Sequence, residues 1–139
     1  MESLHSINGQ ISRMQNSLYD LNLQLENRRR ELERLALALS NLYDYKDDFK
    51  QNRKLCVTPE LSPNTWHGQY ASRFQQFKDN EVLANYISLY DYQLVQTIDQ
   101  LNEKIREIKQ SIIDIRMDLS NQRNELDHLY DKQRRELMS

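Results

Sequence analysis

The stretch "IDQLNEKIREIKQSIIDIRMDL", residues 98–119, places Ile98, Leu101, Ile105, Ile108, Ile112, Ile115 and Leu119 at alternating steps of three and four. That rhythm is the apolar seam of a coiled-coil helix; a strand would alternate every second residue. Working outward, Leu94 precedes the run in register. Gln122, Leu126 and Leu129 continue it, with Gln122 as the one polar member. Further upstream, Phe74, Phe77, Leu83, Ile87 and Tyr90 extend an apolar face with looser spacing. The pattern predicts a second helix over about 69–135.

The first part of the chain carries the same signature. Leu4, Ile7, Ile11, Met14, Leu18, Leu21, Leu25, Leu32, Leu35, Leu39 and Leu42 form a seam broken only at Arg28, and Phe49 rejoins it after Lys46. A first helix is predicted over about 4–53. Arg28 has two readings: an ion pair with the Asp91-to-Asp99 region across the hairpin, or a side chain snorkelling to solvent. Between the seams, over about 54–68, Pro59 and Pro63 cannot occupy a helix interior, because each lacks an N–H and clashes with the preceding turn. Asn64 or Thr65 is placed to cap the second helix. The expected fold is all-α: one domain over 1–139, a long antiparallel helical hairpin.

Composition narrows the classes of function. The chain is 38% hydrophobic and 29% charged, enough for a narrow seam but not for a thick core. A formal charge of −2 argues against nucleic acid as a partner. The basic run Arg28 to Arg30 is answered by Glu31 and Glu33 and reads as a solvated face. One cysteine leaves no internal disulfide and no cysteine-based zinc framework. No run approaches the ~18 apolar residues of a membrane span, so membrane insertion is not expected. The N-terminal residues lack a secretory signal pattern, which predicts a cytoplasmic protein, or one exported with a partner without a cleaved signal.

Two helices bury one stripe each, so a hairpin of this length needs a further helix pair, completing a four-helix bundle as a homo- or heterodimer. "LALAL", residues 35–39, is apolar all round, and "VLANYISLYDYQLV", residues 82–95, is apolar on several faces. Six of the eight tyrosines lie between residues 43 and 92, and tyrosine is enriched in interfaces. The half around the turn therefore reads as the docking surface, with Leu37, Tyr43, Phe74, Tyr86, Leu89, Tyr90 and Tyr92 as partner-binding residues. The alternative is an intramolecular core thickened by a folded-back tail.

Patterns that carry chemistry are missing. His5, His67 and His128 lack the helical spacing of a metal pair, and Asp44, Asp47 and Asp48 lack the glycine-containing loop of a calcium site. There is no phosphate loop and no nucleophile elbow. A non-enzyme without cofactor or metal is expected.

Trp66-His67-Gly68 lies in the expected turn, with Ala71 and Phe74 on the first turns of the second helix. This resembles the Trp-x-Gly hairpin of the WXG (ESAT-six-like) superfamily of type VII secretion, and most of all the small helical proteins associated with LXG toxins. The resemblance rests on Trp66, Gly68 and Phe74 within an architecture that covers nearly the whole chain. It implies a chaperone or targeting subunit whose partner is the helical N-terminal domain of an LXG toxin, a second small helical protein, or both. It adds Trp66 and Gly68 to the partner-binding set. Secreted relatives often carry Tyr-x-x-x-Asp/Glu after the second helix. Here Tyr130 is followed four residues later by Arg134, and Tyr43 with Asp47 has that spacing in the first helix instead. The competing class is a structural coiled-coil subunit of an unrelated complex, in which Trp66 only packs the turn.

Overall fold

The computed structural model describes residues 3–56 and 68–139. It is a helical hairpin. The first arm is helix α1, Leu4–Asn52, which ends in a short 3-10 turn, Arg53–Cys56. The second arm consists of α2 (Gln69–Phe77), a π-helical turn over Lys78–Leu83, α3 (Ala84–Ser88), a second π turn over Leu89–Leu94, and α4 (Val95–Met138).

Ser3 starts α1: its Oγ accepts the backbone N–H of Ser6 at 3.1 Å, satisfying one donor that the first turn leaves open. Gly68 starts α2 with φ of 103°, a backbone conformation that costs glycine little and other residues strain. The expected caps Asn64 and Thr65, with Pro59, Pro63, Trp66 and His67, lie outside the described residues.

The chain forms two compact units. A terminal unit comprises Met1–Arg34 with Ile105–Ser139, and a central unit comprises Leu35–Lys104. In the terminal unit the two arms run antiparallel. Gln15 Nε2 donates to the Tyr130 hydroxyl and Gln133 Nε2 to Asn8 Oδ1, each at 2.8 Å. The seam is buried as its spacing predicts: Ile7, Ile11, Leu25, Ile105, Ile108, Ile112, Ile115, Leu119 and Leu129. Ile7, Ile11 and Leu129 form a cluster against which Met14, Leu126 and Tyr130 pack. Arg28 has a partner on its own helix, bonding Glu31 at 2.8 Å.

The central unit departs from the seam expected upstream of Leu94. Ala71 and Lys78 are buried, whereas Phe74 and Phe77 are exposed. The inward positions then step from Lys78 to the half-buried Leu83, a gap of five residues. An α-helix cannot keep a five-residue step on one face, but a π turn, bonding i to i+5, can. The π turn over Lys78–Leu83 thus returns Leu83 and Ile87 to the inner side.

Candidate partner-binding surface

The inner side of the central unit is held by a few specific contacts. The Tyr86 hydroxyl donates to the backbone carbonyl of Phe49, and the two rings lie 5.1 Å apart in a tilted pair. Lys46 Nζ sits 5.8 Å from the centre of the Tyr90 ring, a cation–π distance. Lys78 is only 5% exposed, and its Nζ lies 5.9 Å from the Phe74 ring. Its aliphatic stem occupies the inward position that an apolar residue would otherwise take.

Large apolar side chains stand exposed on the central unit among polar ones. Leu37, Tyr43 and Tyr45 project from α1; Tyr70, Phe74 and Phe77, spaced i, i+4, i+7, form one stripe of α2. Val82, Leu89 and Tyr92 follow along the second arm. With Leu55, ten of the sixteen exposed large hydrophobic residues among those described belong to the central unit, which buries only Ala71 and Ile98 of the apolar core.

The residues expected from sequence fall into three groups. Leu37 (64% exposed), Tyr92 (70% exposed), Tyr43, Phe74 and Leu89 are on the outside. Tyr86 and Tyr90 are half-buried and turned to Phe49 and Lys46 across the hairpin. Gly68 opens α2, and Trp66 lies outside the described residues. Tyr45 and Tyr70, two of the six tyrosines of this half, and Phe77, expected on the apolar face of the second helix, belong to the same exposed set though not to the expected partner-binding residues. The i, i+4, i+7 spacing of Tyr70, Phe74 and Phe77 was the available signal. Lys78 was also missed; it falls seven residues after Ala71, on the same stripe.

Charge is distributed unevenly around this surface. Asp44, Asp47, Asp48, Glu81 and Asp91 are exposed and take no ion pair among the described residues. In the terminal unit, Arg28 pairs with Glu31, Arg30 with Glu26 at 2.7 Å, and Arg134 with Asp131.

A cleft of about 500 Å³ runs along the terminal unit, lined by Gln10, Met14, Ser17, Gln122 and Leu129 among others. Gln122 Oε1 is buried beside it without a hydrogen-bond partner. Among the described residues no three His, Cys, Asp or Glu side chains gather into a group able to hold a metal, and no helix is long and apolar enough to cross a membrane.

Among protein families, the YwqH-like family model matches residues 9–131. Comparison with curated proteins finds no match, and comparison with solved structures finds none. With most of its length matched to that model, this helical hairpin belongs to the YwqH-like family.

Proposed function

We propose that this chain is a non-enzymatic partner-binding protein, a chaperone or targeting subunit for an LXG toxin of type VII secretion. It binds the helical N-terminal domain of the toxin, contributes two helices to a shared bundle, and promotes export of the complex from the cytoplasm. The observation that carries this reading is the concentration of exposed apolar side chains in the central unit, which buries little of the core. Contiguous exposed apolar surface marks an interaction site. The type VII assignment rests on the similarity of Trp66-x-Gly68 and Phe74 to the Trp-x-Gly hairpin, and membership of a family of small helical proteins is consistent with it.

Leu37 tests the reading. It lies outside the intramolecular seam, so Leu37→Glu is expected to leave helicity and melting intact. A charge placed in a buried interface should weaken the complex by about 2 kcal/mol or more. Co-purification with the product of an adjacent LXG toxin gene, before and after the change, is the measurement. Unchanged binding moves the surface elsewhere, and failure of the unaltered chain to bind favours a structural coiled-coil subunit.

A further inference from the structure

Resting on the partner-binding reading above, we infer that the helix docking on the central unit carries lysine or arginine along the flanks of its apolar stripe. On α1, Leu37, Asp44 and Asp48 follow at spacings of seven and four, which places them on one outward stripe. Tyr43 and Asp47, four apart, are neighbours on the adjacent stripe. On the second arm, Glu81 precedes the exposed Val82, and Asp91 lies between Leu89 and Tyr92 in sequence. Exposed apolar side chains are thus interleaved with five carboxylates that have no ion pair among the described residues. Of the cations of this unit, Lys46 lies over the Tyr90 ring and Lys78 is buried, and the exposed Lys50, Arg53, Arg73 and Lys104 are outnumbered among the described residues by eight exposed carboxylates, these five with Asp79, Asp99 and Glu103.

An acidic rim around an apolar face selects its occupant. A second copy docking face to face would bring the same five carboxylates against these, because a twofold interface pairs a patch with itself. Anionic lipid surfaces and nucleic acid are repelled for the same reason. A helix with an apolar stripe and basic flanks satisfies both features, as charged positions beside a helical seam set the choice of partner.

The test uses the full chain and the N-terminal helical domain of the adjacent LXG toxin, with association rate and affinity measured at low and at physiological salt. The unaltered chain is expected to bind more slowly as salt rises, since rim charges act mainly on association and are screened. The variant D44N/D47N/D48N is expected to associate several-fold more slowly, with a flatter salt dependence and unchanged circular dichroism. The control D114N/D118N, exposed on the terminal unit, should bind as the unaltered chain does. Equal rates for the central variant and the unaltered chain overturn the inference and leave the partner-binding reading standing. An equal loss in the control also overturns it, by showing that net charge rather than the acidic rim matters. If the unaltered chain binds no toxin domain, or the face is occupied by a second copy, the partner-binding reading fails and the inference fails with it.

Discussion

The terminal and central units are of nearly equal length and both are helical, yet they bury and expose apolar residues in different proportion. Among the described residues, nine of the eleven buried apolar ones, from Ile7 to Leu129, belong to the terminal unit, where strict steps of three and four keep one stripe facing inward. Its twelve acidic and twelve basic residues balance, and three ion pairs form within its helices. The central unit holds ten of the twelve aromatic residues, turns most of the described ones outward, and exposes Asp44, Asp47, Asp48, Glu81 and Asp91, which take no ion pair among the described residues. The difference separates two uses of a helical hairpin. A regular seam with balanced charge closes on itself. A widened, aromatic and acidic surface stays exposed, as the proposed docking face would need.

The strongest challenge to that contrast is to place the same charge in each unit. Ile108 is only 2% exposed, so Ile108→Asp buries an unpaired carboxylate and is expected to cost about 4 kcal/mol or more. Phe77 is more than half exposed, and Phe77→Asp is expected to change stability by no more than about 0.5 kcal/mol. Circular dichroism melts of the two variants decide it. If they melt alike, the division between a closed core and an open face is wrong.

A smaller effect probes what holds the central unit together. Tyr86→Phe removes the hydroxyl that bonds the Phe49 carbonyl but keeps the ring pair. A loss of about 1 kcal/mol is expected. Hydrogen exchange should quicken among the amides near residue 49, with the terminal unit unaffected. Uniform quickening in both units would show that they do not open separately.

The smallest effect is expected at Arg28. Its bond to Glu31 joins two side chains that are each well exposed to water, and an exposed pair contributes little. Arg28→Ala should shift stability by less than about 0.5 kcal/mol in a denaturant titration. A loss several times larger would mean that Arg28 supports the terminal seam in some way other than through Glu31.

Much of the fold could be read from spacing alone. The heptad rhythm names the inward residues of the terminal unit from Ile7 to Leu129 because α-helical periodicity is a local property of the chain. The end of α1 near residue 52 was equally legible, with Pro59 and Pro63 ahead and no further seam residue after Phe49. The candidate surface was legible as composition: runs apolar on every face must leave part of that surface outside a two-helix seam. Leu37 and Tyr92 follow from this and lie outside.

The sequence by itself determined that there are two arms, which stripe of each faces inward where the rhythm is strict, and that apolar and aromatic residues gather in one half. Only the tertiary structure decided that Ala71 and Lys78, rather than Phe74 and Phe77, turn inward. It also decided that Tyr86 and Tyr90 bridge the hairpin and that Arg28 pairs along its own helix. For the side chains of the second arm the physical reason lies in its two π turns. One extra residue in a turn shifts every side chain beyond it around the helix, and whether a helix takes that turn depends on its packing against the other arm. A side chain such as Lys78, with an apolar stem and a charged end, satisfies either environment, so its type alone does not say which side it faces.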